Sequence, residues 1–264
     1  MSRHGCIVRA VPALTFQTAV VSEVGPRENN EDSVWVSPRL VAVADGVGGA
    51  IAGEIASGLA IRKMSGLSSR RIEQPLELEL SAAVEDANAV IEFVIDCDPR
   101  LAGMGTTLTA VALSNDGDYL IANVGDSRTY LQRDGQLRRL TRDDSMVQML
   151  IDRGALSEED ARHHPQRSVV LAALDGAQRP LPAPQSVKAR LGDRLLLCSD
   201  GVTDYVPDDE VARTLMIEDA DAAVRQLVRL ALERRGRDNI TAVIADVVPC
   251  SDPRDGWLDY LPSK

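Results

Sequence analysis

Two kinds of hydrophobic pattern alternate along this chain: short β-like runs that stop on aspartate or glycine, and longer segments whose apolar positions recur every three to four residues. Leu14 to Gly25 reads as a strand ending at the Gly25-Pro26 turn signal. Short strands follow around Ser33 to Val36 and Arg39 to Ala44. Ala50 to Leu67 has helical spacing, with Ile51, Ile55, Leu59 and Met64 expected on its buried face. Glu73 to Ile95 predicts a second helix that buries Leu76, Leu80, Val84, Ala87 and Ile91. After a break at Gly103-Met104-Gly105, strands crowd together from Thr106 to Leu140. Asn115-Asp116-Gly117 and Asp134-Gly135 are hairpin signals within that stretch. Asp143 to Gly176 is polar and helix-forming only in short pieces, which predicts an insertion over one end of a sheet. Strands return at Ser186 to Ala189 and Arg194 to Cys198, helices at Asp208 to Met216 and Ala220 to Arg235, and Ile240 to Val248 supplies a last strand. Antiparallel connections with long helices between them predict an α+β sandwich, sheets packed together with helices on the outer faces. No linker divides the chain, so residues 1–250 are expected to form one domain, with a tail over 251–264 that carries Trp257.

Composition narrows the function classes. The chain has 264 residues, is 44% hydrophobic and only 3% aromatic, and carries a net charge of −11. A core of Ala, Val, Leu and Ile follows. The acidity argues against nucleic acid and anionic membrane as partners, because both need a basic footprint. Cys6, Cys97, Cys198 and Cys250 show no metal-binding spacing and read as reduced thiols. No run approaches the length of a membrane span, and Arg9 and Pro12 interrupt the N-terminus as a signal peptide, so a cytoplasmic monomer is expected.

The candidate chemistry lies where apolar runs meet aspartate. Asp45 in LVAVADGVGG, Asp126 in YLIANVGDSR and Asp200 in RLLLCSDGVTD each end a run, Asp238 in GRDNITAVIADV precedes one, and Asp32 lies in RENNEDS. One Asp-Gly is usually a turn chosen for backbone reasons. Several carboxylates converging on one spot repel one another and need a cation between them. Oxygen donors of this kind suit Mg, Mn or Ca. Arg27, four residues before Glu31, is either a solvated loop residue or a bidentate phosphate clamp. Gly46, Gly48 and Gly49 make a strand-to-helix turn and also permit close approach of a ligand, with the Gly46 carbonyl as a possible donor. Thr106 and Thr107 read as strand residues, and His163-His164 lacks the partners of a zinc site.

The ordered motifs RENNEDS, ADGVGG, GMGTTL, NVGDSR, LLLCSDGVTD and GRDNITAVIADV resemble the type 2C metal-dependent protein serine/threonine phosphatases, the PPM family. The resemblance runs from about Thr18 to Val247, and the segment from Asp143 to Gly176 looks like the flap subdomain of its bacterial branch. It implies a central sandwich of two antiparallel sheets flanked by helices. It also implies two or three Mn²⁺ or Mg²⁺ ions. Asp45 is expected to bridge two of them, and the Gly46 carbonyl to bind one of those two. Asp200 and Asp238 complete the second, Glu31 and Asp32 support the pair, and Asp126, Asp200 and Asp204 make a third site. Arg27 matches the phosphate-binding arginine. The implied reaction is attack of a metal-bridging hydroxide on phosphoserine or phosphothreonine. The implied partners are phosphorylated proteins, a serine/threonine kinase or its substrates among them. Val47 stands where some eukaryotic members carry a histidine offered as general acid, which leaves the acid unassigned. A phosphoprotein-binding module without activity would have lost the aspartates. A two-metal nuclease would need a basic groove. A phosphatase of anti-sigma antagonists would carry a sensory domain.

Overall fold

Asp-Gly turns, apolar runs and helical stripes resolve into four layers in the computed structural model, which describes residues 13–48, 50–69 and 71–251. In chain order come β1 (Leu14–Glu23), β2 (Asp32–Val36), β3 (Leu40–Val47), α1 (Ala50–Ser69), α2 (Leu76–Cys97), β4 (Gly105–Thr106), β5 (Leu108–Leu113), β6 (Asp118–Val124), β7 (Arg128–Arg133) and β8 (Gln136–Arg139). Then follow α3 (Met146–Asp152), α4 (Glu158–Ala161), β9 (Gln185–Lys188), β10 (Arg194–Cys198), α5 (Asp200–Thr203), α6 (Asp208–Leu215), α7 (Ala220–Glu233) and β11 (Ile240–Pro249). One sheet has the order β1-β11-β10-β7-β8 and the other β2-β3-β5-β6-β9, with β4 beside β3. Every pairing is antiparallel. The expected α+β sandwich is borne out. No described helix is long and apolar enough to cross a membrane.

Strand periodicity explains the layering. Along β3, Leu40, Ala42 and Ala44 face α1 and α2, while Val41 and Val43 face the other sheet. Both faces are covered, so the strand reads as a continuous apolar run although its neighbours are antiparallel. Between the sheets, Val111, Tyr119 and Ile121 meet Leu131, Leu195, Leu197 and Val243. On the far side Leu196, Ile244, Val224 and Leu227 close a second helical layer.

The helices shift slightly from expectation. The buried stripe of α1 is Ala56, Ala60, Met64 and Leu67, with Ile55 and Leu59 only half-buried at its margin; the side chain of Ile51 lies outside the described residues. Small alanines bring the helix axis close to the sheet, so the larger side chains move to its flanks. α2 buries Leu80, Val84, Ala87 and Ile91 as expected, with Leu76 half-buried. It starts at Leu76 rather than Glu73 because Pro75 disfavours helix before it. The carboxylate of Glu79 then accepts the N–H groups of Glu73 and Gln74 at 3.3 and 3.1 Å.

Turns carry the chain where predicted. Asp134 and Gly135 both have positive φ, 52° and 76°, the type I′ geometry that joins β7 to β8. No sequence pattern marks α5, which begins on Asp200 itself, directly after β10. Residues 143–176 hold α3 and α4, capped by Ser145 and Ser157, and are rooted beside Asp126. There Asp144 donates its N–H to the Gly125 carbonyl at 2.9 Å and accepts the Gly125 N–H on its carboxylate at 3.1 Å. His4, Cys6, Gly49 and the tail from Asp252, Trp257 included, lie outside the described residues.

Gly201 locks α5 against the start of β11, since a Cβ there would lie 2.0 Å from the Asn239 carbonyl oxygen. Gly201→Ala is expected to cost about 1–3 kcal/mol of stability through forced backbone movement. The check is a lower denaturant midpoint at unchanged slope; an unchanged midpoint would mean the two segments are not in contact.

Candidate functional site

Strand order brings the aspartates to one end of the sandwich. β2 and β3 pair with Asp32 opposite Asp45. In the other sheet β7, β10 and β11 pair Arg128 with Cys198 and Cys198 with Ala242, so Asp126, Asp200 and Asp238 stand just beyond adjacent strand ends. Asp32 and Asp126 are buried, while Glu31, Asp45, Asp200, Asp204 and Asp238 are half-buried.

Uncharged groups hold these carboxylates in place. The Asp45 N–H donates to Thr107 Oγ1 at 3.1 Å, and its carbonyl accepts Thr106 Oγ1 at 2.9 Å and the Thr107 N–H at 2.8 Å. The two threonines are therefore strand residues, as expected, whose hydroxyls also fix Asp45. Gly46 is buried in β3, and a Cβ there would come within 2.3 Å of the Gly53 carbonyl of α1. Ser199 Oγ donates to Asp32 Oδ2 at 2.9 Å and accepts the Thr241 N–H at 3.1 Å.

Asn239 is a further residue of the site that the sequence pattern does not mark. Its Oδ1 accepts the Glu31 N–H at 2.9 Å, and its Nδ2 donates to the carbonyls of Val24 and Asn29 at 2.9 and 2.8 Å. The loop from Val24 to Glu31 is thereby tied to the Asp238 segment. Asn next to an aspartate is ordinary loop composition, so nothing local marks it. Arg27 lies on the same loop, half-exposed. Its Nη2 is 2.8 Å from Asp238 Oδ2 and its Nε donates to the Arg237 carbonyl at 3.0 Å. Two of its five N–H groups are thus spent on the protein.

Electrostatics and burial act together. Loss of solvation, then Asp32, Asp200, Asp126 and Asp238, push the Asp45 carboxyl well above its ordinary range. Asp200 is raised by burial and by Asp126, Asp204, Asp238 and Asp32. Burial lifts Asp32 to about 6 against the hydrogen bonds of Thr241 and Ser199, and lifts Asp126 to about 7, helped by Asp143 and opposed by Arg128. Glu31 and Asp204 are also raised by burial, with Arg27 and Arg167 pulling the other way.

The donor set fits hard divalent cations. Asp32 Oδ1 and Asp200 Oδ1 are buried with no hydrogen-bond partner. Such atoms cost free energy unless a proton or cation meets them. Among the described residues no three His, Cys, Asp or Glu side chains close on one point as a finished cage. Mg²⁺-type ions keep several waters and take only one or two carboxylates each, so a finished cage is not required. His163 is exposed, and His164 accepts the Gln166 N–H at 3.2 Å on Nδ1 within its own turn. A cleft of about 230 Å³ opens between the acidic centre and residues 143–176, with Asp126, Asp200 and Asp204 on one side and Val147, Ile151 and Arg162 on the other.

The raised carboxyls set a pH dependence for the protein without cations. Asp32 and Asp126 ionise at about 6 and about 7 when folded, against an ordinary 3.8. Between those limits the folded chain binds more protons than the unfolded chain, so stability falls as pH rises. Each such group is expected to cost about 1.4 kcal/mol per pH unit from pH ~4 to its own folded value. Denaturant titrations in a chelator check this, and Mn²⁺ is expected to remove the slope; a flat profile without metal would mean that the carboxyls are not crowded.

Known proteins share this sequence pattern and fold. The protein phosphatase 2C profile matches residues 28–242. The serine/threonine protein phosphatase PstP of Mycobacterium tuberculosis is 45% identical over 222 residues, 84% of this chain, which spans only 43% of that relative's length. The serine/threonine phosphatase stp of Listeria monocytogenes is 36% identical over 83% of this chain and 91% of its own. The crystal structure of the M. tuberculosis phosphatase superposes with a TM-score of 0.84 at 42% identity, covering 88% of this chain and 98% of that one. A structure of the PstP catalytic domain in complex with two manganese ions gives 0.83 at 41% identity over 89% and 99%. With the motifs, the fold and these likenesses in agreement, the chain belongs to the protein phosphatase 2C family.

Proposed function

We propose that this chain is a metal-dependent protein serine/threonine phosphatase that hydrolyses phosphoserine and phosphothreonine and opposes a serine/threonine kinase. The observation that carries this is the crowd of raised carboxyls at one end of the sandwich, two of them with buried, unpartnered oxygens. Asp45 and the Gly46 carbonyl, with Glu31, Asp32, Asp200 and Asp238, would hold two Mn²⁺ or Mg²⁺ ions, and Asp126, Asp200 and Asp204 a third. Such ions, when bound, supply Lewis acidity and lower the pKa of water beside the phosphoryl group.

The chain's own groups do the rest. Arg27 binds phosphoryl oxygens with the N–H groups not spent on Asp238 and Arg237. Its guanidinium adds positive charge where negative charge grows on the transferred group. Cys198 is no nucleophile, because burial pushes its thiol up to about 12. Val47 is aliphatic, so position 47 supplies no proton to the leaving oxygen. Residues 1–250 act as one catalytic domain in which the 143–176 flap selects substrates beside a rigid scaffold. We take the domain to work as a monomer in the cytoplasm, a placement that the free thiols of Cys97, Cys198 and Cys250 support.

The test is turnover of a phosphothreonine peptide with and without Mn²⁺. Asp45→Asn is expected to lower kcat by more than about a hundredfold, as loss of a central electrostatic group does, while circular dichroism stays native. Retention of most activity would sink the assignment. Arg27→Ala is expected to lower kcat/KM about tenfold or more, and to weaken Mn²⁺ binding by calorimetry less than that. Selective loss of metal instead would make Arg27 a support for Asp238.

A further inference from the structure

Four arginines line the cleft under the flap, and three have their charge taken by aspartates. Arg128 donates from Nε to both carboxylate oxygens of Asp143 at 3.0 Å and from Nη2 at 2.6 Å. Arg139 lies 3.6 Å from Asp143 and donates to Gln148 at 2.8 Å. Arg167 lies 3.4 Å from Asp204. Arg162 is exposed and makes no ion pair with any described residue. Glu158 lies one turn before it and lines the same cleft, yet no bridge closes between them.

The mount of Arg162 is firm while its head is free. It is the C-terminal cap residue of α4, and its N–H donates to the Asp160 carbonyl. Ala161 beside it is buried, and Ser157 caps the other end of the helix by accepting the Asp160 N–H at 3.1 Å. The remaining cleft charges are carboxylates, Asp126, Asp200, Asp204, Asp208 and Glu158 among them. An acidic side chain on a bound peptide is repelled by those groups and has one uncompensated cation to meet. Val147 and Ile151 add apolar surface to the same cleft.

We infer that Arg162 is a specificity residue that receives a carboxylate or phosphate carried by the substrate a few residues from the phosphorylated serine or threonine, an inference that rests on the phosphatase activity proposed above. Guanidinium is suited to either anion. The site thus favours phosphoproteins whose modified residue sits in an acidic or multiply phosphorylated stretch.

The test uses the 264-residue chain with Mn²⁺ and phosphothreonine peptides that differ at one flanking position: alanine, glutamate, phosphoserine or lysine. The unaltered protein is expected to prefer the acidic peptides over alanine by about fivefold in kcat/KM, the size of a partly exposed ion pair. The ratio cancels any general loss of activity. Arg162→Ala is expected to bring it to one, Arg162→Lys to keep part of it, and Arg162→Glu to turn the preference toward lysine. A preference for glutamate and phosphoserine alike supports a general anion contact. A preference for phosphoserine alone supports a second phosphate as the partner. Ratios unchanged in both Arg162→Ala and Arg162→Glu overturn the inference while the phosphatase stands. Absence of Mn²⁺-dependent turnover of p-nitrophenyl phosphate by the unaltered protein overturns the phosphatase itself, and the inference with it.

Discussion

Carboxylates that would separate if they were free are held together at one end of this sandwich, and the rest of the site is organised around that repulsion. Asp32, Asp45, Asp126, Asp200 and Asp238 each enter from a different strand end, so no local segment decides the distance between any two of these five. The groups that orient them are nearly all neutral: the Thr106 and Thr107 hydroxyls on Asp45, Ser199 on Asp32, and the Asn239 amide on the Glu31 loop. A charged support would have offset the negative field that the carboxylates build up together. Arg27 and Arg167 are the exceptions: Arg167 lies 3.4 Å from Asp204, and Arg27 stands at the open rim, where its remaining donors are accessible. The deep charge pair Arg128–Asp143 sits one step away and steadies the start of the 143–176 segment instead.

Much of this could be read from the sequence, for reasons that are local. Strand runs ending on Asp45, Asp126 and Asp200 combine periodicity with a turn residue, and both signals are contained within ten residues. The hairpins at Asn115-Asp116-Gly117 and Asp134-Gly135 depend on φ preferences of the residues themselves. The details that were not legible depend on partners far away in sequence. Asn239 matters because of Val24, Asn29 and Glu31. Ser199 matters because Asp32 lies across from it, 167 residues away. Arg27 divides its donors between the protein and the site in a way that only the fold determines. The shift of the α1 stripe to Ala56 and Ala60 has the same origin: how close two elements approach is a property of both.

Glycines mark where such approaches are tightest. Gly46 lies under the Gly53 carbonyl and Gly201 under that of Asn239. Neither needs positive φ; each is glycine because backbone from another element occupies the space of a Cβ. Both adjoin an acid of the centre, Asp45 in one case and Asp200 in the other. The precision of the acidic cluster is thus set by backbone against backbone, which deforms less than side-chain packing does.

The Asn239 amide joins segments 208 residues apart, from Glu31 to its own side chain. β11, which follows it, lies between β1 and β10 inside its sheet. A chain emerging from the ribosome therefore carries Arg27, Glu31, Asp32 and Asp45 through most of its synthesis without the strand that completes their surroundings. Contacts of such long sequence separation form late and slowly. The acidic centre is complete only after β11 has inserted, so the step that completes the fold is also the step that gathers the carboxylates at one end of the molecule, and incomplete chains are left without it.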